Sequence, residues 1–70
     1  MLPLYVATPG EEIIIRRIGG SPEVKQHLAD LGFVVGGTVT LINVLNGNVI
    51  VNVKDSRVAL DAEMARRIMI

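Results

Sequence analysis

Thr38-Val-Thr-Leu-Ile-Asn-Val-Leu45 and Val49-Ile-Val-Asn-Val-Lys54 are two β-rich runs joined by Asn46-Gly47. Asn-Gly is the dipeptide that best tolerates the positive φ angles of a type I′ turn, the two-residue connection matched to the twist of paired strands. Val49, Val51 and Val53 alternate with Ile50, Asn52 and Lys54. That period of two places the three valines on one face and predicts a strand that packs on a core. Asp55-Ser56 is a second turn signal, after which Arg57 to Leu60 returns as another short strand. The middle of the chain therefore reads as a three-stranded meander.

Towards the N-terminus, Thr8-Pro9-Gly10 is a turn, and the following residues, rich in β-branched side chains, predict a strand over about 12 to 18. Gly19-Gly20 ends it. Ser21-Pro22 then supplies an N-cap hydroxyl and the residue best tolerated at the first helical position. Val24, Leu28 and Leu31 recur at i, i+4 and i+7, which predicts a helix over about 22 to 31, closed by Gly32 as a left-handed cap. Towards the C-terminus, Asp61 caps a short helical turn at about 62 to 66, and Ile68-Met-Ile70 is a last strand. A hairpin is marginal alone, so about five short strands are best stabilised by curling into a small barrel that covers its edges. The expected architecture is one mainly β domain spanning residues 1–70, with one inserted helix.

Composition narrows the function. At 70 residues only about 60% of the unfolded surface is buried, which leaves no room for a deep catalytic cleft. Tyr5 and Phe33 are the only aromatics, too few for the stacking platforms that hold single-stranded nucleic acid or the lined grooves that hold proline-rich peptides. Seven Lys/Arg cancel seven Asp/Glu, so no net positive field collects nucleic acid or anionic lipid from a distance. There is no cysteine, which removes disulfides and thiolate chemistry. No apolar run approaches the roughly 20 residues of a membrane-spanning helix, and Met1 to Pro9 lacks the basic start of a secretory signal. The expectation is a chain that is neither exported nor inserted in a membrane and that binds no nucleic acid.

The stretch Leu28-Ala-Asp-Leu31-Gly32-Phe33-Val-Val-Gly36-Gly-Thr-Val39 resembles the signature of the ferrous-iron transport protein A family, FeoA. The resemblance continues through Pro9-Gly10-Glu11, Ile18-Gly-Gly20, Arg57-Val-Ala-Leu60 and Ala65-Arg-Arg-Ile68, and so covers nearly the whole chain. It implies an SH3-like barrel and a cytoplasmic accessory protein of bacterial ferrous iron uptake. The implied partner is FeoB, a membrane transporter with a cytosolic GTP-binding portion. The same module resembles the C-terminal domains of iron-dependent repressors, so a metal-responsive or metal-binding module is the alternative. Three positions depart from the family pattern: Val35 stands where proline is common, His27 where arginine is common, and Leu45-Asn-Gly-Asn48 is tighter than the usual loop.

No catalytic residue is assigned. Ser21, Ser56 and His27 include a nucleophile and a base, but no motif orders them, so an enzyme is not expected. His27 with Asp30 falls short of the three or four ligands a borderline metal needs, and no cofactor or metal site is expected. Gly19-Gly20-Ser21 lacks the spacing and lysine of a phosphate loop and reads as a turn plus a cap. Glu11-Glu12, Asp61 and Glu63 read as solvated charges at element starts. Phe33 reads as a core residue, with the rival reading that Leu31, Phe33 and Val35 leave an apolar patch for a partner. The expected partner-binding residues are Leu31, Gly32, Phe33, Val35 and Gly36, with Arg57 beside them.

Overall fold

The computed structural model describes residues 1–70 and holds six strands. These are β1 (Glu12–Ile14), β2 (Arg17–Ile18), β3 (Thr38–Leu45), β4 (Asn48–Val53), β5 (Ser56–Leu60) and β6 (Ile68–Met69). Helix α1 (Pro22–Asp30) sits between β2 and β3, α2 (Ala62–Ala65) precedes β6, and Leu4–Val6 is a single 3₁₀ turn. The four strands β1-β3-β4-β5 form one antiparallel sheet in that order, and β2 pairs with β6 in a second. The result is a small, mainly β barrel carrying one inserted helix.

The β3–β4 connection is the Asn-Gly turn expected, with Asn46 at φ 51° and Gly47 at φ 83°. Within β3 a bulge at Ile42 decides which side chains face inward. Leu41 pairs with Val51, but Asn43, not Ile42, pairs with Ile50, and Val44 then pairs with Val49. Without the extra residue Asn43 would oppose buried Val49 and turn its amide to the core. The bulge keeps the amide outside, where its Oδ1 accepts the N–H of Val44 at 2.8 Å.

The run expected as one strand over about 12 to 18 is divided between the two sheets, so there are six strands and not about five. Ile13 and Ile15 point inward by alternation, and so does Ile18, whose spacing from Ile15 breaks the period of two. The chain accommodates this with a corner. Ile15 exchanges bonds with the loop before β3 (its N–H to Gly37 O at 2.9 Å, Gly36 N–H to its carbonyl at 2.8 Å), and Arg16 N–H then turns to Met69 O at 2.8 Å. The second hairpin turn also shifts by one residue. Lys54 (φ 48°) and Asp55 (φ 64°) are its central pair, and Ser56 begins β5.

Both helices start on the caps the sequence offers. Ser21 Oγ accepts from Val24 N–H at 3.3 Å and Asp61 Oδ1 from Met64 N–H at 2.8 Å. The 12 buried residues are all apolar, drawn from both sheets and both helices together with Leu4, Ile15 and Phe33. The N-terminal segment is anchored more firmly than its sequence suggests: Leu4 is fully buried, and Leu2 and Ile70 exchange two backbone bonds at 2.9 and 2.7 Å.

Candidate partner-docking surface

The end of α1 is a Schellman motif, complete in both its bonds. Gly32 N–H donates to Ala29 O at 3.0 Å and Phe33 N–H to Leu28 O at 2.9 Å, with Gly32 at φ 106°. The motif characteristically joins an apolar residue just past the glycine to one in the last helical turn, and here Phe33 and Leu28 are both fully buried in one core cluster. This corrects the reading of Phe33 as part of an exposed patch: the ring is a core side chain. Its position directly after a helix-ending glycine is the signal that identifies it.

With Phe33 beneath, the following residues form a turn that projects from the barrel. Gly37 N–H donates to Val34 O at 3.0 Å, and Gly36 has φ 88°. A positive φ at the third position is the type II pattern, in which Val35 holds the second position, the one proline favours. Val35 is 63% exposed and Val34 38% exposed, while Leu31 is half-buried against the core. The turn is tied to Ile15 through Gly36 and Gly37, so the two valines stand on a hydrogen-bonded frame.

Leu31, Gly32, Val35 and Gly36 are thus brought to one end of α1, with Val34 added to them. Arg57 is not part of this group. It is opposite Asn52 in a row, Glu12-Thr40-Asn52-Arg57, that crosses the outer face of the large sheet. The cation at the helix end is Lys54, whose Cδ would lie 3.5 Å from a Cβ on Gly32. Sequence spacing gave no means of finding Lys54, because the shifted turn decides where it points.

The remaining polar candidates resolve into local structure. Asp30 Oδ1 accepts from Gln26 Nε2 at 2.8 Å, and His27 is exposed. No three His, Asp or Glu side chains gather into a group able to hold a metal ion. No polar or charged side chain is buried, and no helix is long and apolar enough to cross a membrane. A depression of about 230 Å³, lined by Tyr5, Val44, Gly47, Ala62 and Arg66, lies where α2 meets the β3–β4 turn.

The profile of the FeoA domain matches residues 2–70. The chain belongs to the FeoA domain family. An Fe(2+) transport protein A of Methanocaldococcus jannaschii is 34% identical over 70 residues, all of this FeoA domain and 85% of that protein. The crystal structure of an iron uptake regulatory protein, FeoA, superposes with a TM-score of 0.86 at 29% identity, over 97% of this chain and 90% of that one. The SH3-like barrel with an inserted helix, implied by the sequence resemblance, is therefore the fold of this domain. A manganese-dependent transcriptional repressor shares that fold over 38% of its own length, with a TM-score of 0.83 at 19% identity and 94% of this chain covered.

Proposed function

We propose that this FeoA domain is a cytoplasmic, non-enzymatic accessory of ferrous iron uptake that docks on the cytosolic GTP-binding portion of a FeoB-type transporter and modulates it. The observation that carries the reading is the Val34-Val35-Gly36-Gly37 turn. It presents two exposed valines on a frame fixed by the buried Phe33 below and by the Ile15 bonds beside it. Apolar side chains held rigidly at low conformational cost make good interface centres, and the glycines at 36 and 37 let a partner backbone approach closely. Leu31 and Lys54 flank this centre, and Arg57 lies outside it. A surface this small suits a transient encounter.

The alternative, a metal-responsive module like a repressor domain, draws support from the shared fold alone. It needs a ligand set, and the carboxylates and His27 are dispersed. The experiment that tests the main reading is retention of the intact transporter, or of its soluble GTPase portion, on the immobilised domain. Retention that a Val35→Asp variant loses supports docking; a domain that retains neither form contradicts it.

A further inference from the structure

Zero net charge hides a segregated distribution at the opposite end of α1. Pro3 bridges to Met69, and Met69 pairs with Arg17, so the N-terminal segment, β6 and β2 form a three-stranded ribbon. Side chains alternate across strands, so Arg17, Gly19, Arg67, Met69 and Met1 share the outer face, while Ile68 on the inner face is fully buried. With Arg66 they line an open cleft of about 200 Å³. Three of the chain's seven Lys/Arg converge there, and the acid beside them is Glu63. Its carboxylate accepts from Arg67 at 2.7 Å and stands 3.8 Å from Arg66; Arg17 makes no ion pair.

The cleft floor is Gly19. A Cβ there would meet only the Arg67 carbonyl, at 3.8 Å, so the missing side chain leaves the space open. We infer that the Arg17, Arg66 and Arg67 cleft grips an acidic segment of a protein partner, with carboxylates on the guanidiniums and apolar side chains against Met1 and Met69. Guanidinium forks match carboxylates in geometry, and methionine adapts to irregular apolar surfaces. The Gly19 N–H is engaged by Arg67 O at 2.7 Å, so the floor offers no donor to a lone phosphate. The side chains of Arg66 and Arg67 are 63% and 42% exposed, where each single ion contact is weak. Several carboxylates on one chain are needed, and a concave cleft suits a protruding segment better than a flat bilayer. This is a second site, beyond the docking reading above, and it rests on that reading for the identity of the partner.

The test compares the unmodified domain, an Arg17→Glu/Arg66→Glu variant and a Gly19→Leu variant. Each is measured against the transporter's GTPase portion, a synthetic glutamate-rich peptide and vesicles of anionic lipid. The cleft predicts that the unmodified domain binds the protein and the peptide more weakly as salt rises from about 50 to about 200 mM. The double reversal weakens both by about tenfold or more, from two attractive contacts turned repulsive. Gly19→Leu fills the cleft and weakens both with an unchanged melting midpoint, since Gly19 is not among the glycines with positive φ. Variants that bind like the unmodified domain overturn the inference, as does binding to vesicles in preference to protein and peptide. Arginine-dependent binding to the peptide without binding to the transporter leaves the cleft standing and removes the docking reading. Binding to neither removes both.

Discussion

Phe33 and Leu28 are linked twice, by a 2.9 Å bond from the N–H of one to the carbonyl of the other and by the burial of both side chains in one cluster. This pair turns the chain out of α1 and fixes where the exposed valines begin. Phe33→Ala is expected to cost about 3 to 5 kcal/mol, the range for emptying a well-packed aromatic site. Chemical denaturation measures it, and partner binding should fail together with the fold. A loss below about 1 kcal/mol would show that the ring is not a core element.

The glycine between them is a separate test of the same motif. Gly32 has φ 106°, a region that side chains with a Cβ resist, so Gly32→Ala is expected to cost about 1 kcal/mol or more. The neighbouring Lys54 and Val53 side chains are 3.5 and 3.6 Å from the new Cβ, ordinary contact distances, so the loss measures conformation and not collision. A thermal melt unchanged by the substitution would contradict the Schellman geometry.

The two hairpin turns predict opposite signs. Gly47→Val places a β-branched residue at φ 83° and should destabilise by about 1 kcal/mol or more. Asp55→Gly relieves a non-glycine residue at φ 64° and should stabilise by up to about 0.5 kcal/mol, the strain released exceeding the added chain entropy. Melting midpoints of the two variants check both, and shifts of the same sign would contradict the turn assignment.

The type II turn gives a stabilising prediction. Val35 holds the position that proline favours, and its N–H donates no backbone bond outside the helices and strands. Val35→Pro is therefore expected to raise stability by about 0.4 to 1 kcal/mol by restricting the unfolded chain. A lowered melting midpoint would show that Val35 departs from the required φ.

Several of these features are legible in the sequence because the residues that specify them are local. Ser21-Pro22, Gly32, Asn46-Gly47 and Asp61 each impose a cap or a turn by their own conformational preferences. The valine alternation in β4 likewise needs no partner to be read. What the sequence hides depends on pairing across the barrel. The corner after Ile15 exists because that residue bonds to Gly36 and Gly37, more than 20 positions along the chain. The bulge at Ile42 is set by which β4 residue opposes Asn43. The turn after α1 was legible in its location, but two of the residues expected on it lie elsewhere. The ring of Phe33 lies under it, and Arg57 is carried to the outer sheet face by its register with Asn52.

Iron binding by the isolated domain is a further discriminating property. Dispersed ligands predict only weak association with ferrous ions, because His27 and the surrounding carboxylates cannot complete a rigid coordination shell. Anaerobic calorimetry measures it. A stoichiometric tight site abolished by His27→Ala would favour the metal-responsive reading.

The most direct test of the central claim is the affinity of a Val35→Asp variant for the transporter's cytosolic GTPase portion, measured beside its thermal unfolding. Val35 is 63% exposed, so the melting midpoint should change little, since substitutions at exposed sites stay within about 0.5 kcal/mol. A charge placed at the centre of the docking surface should meanwhile weaken binding by tenfold or more, equivalent to about 1.4 kcal/mol. Binding equal to that of the unmodified domain, with the fold intact, would contradict the assignment of this turn as the surface that meets the transporter.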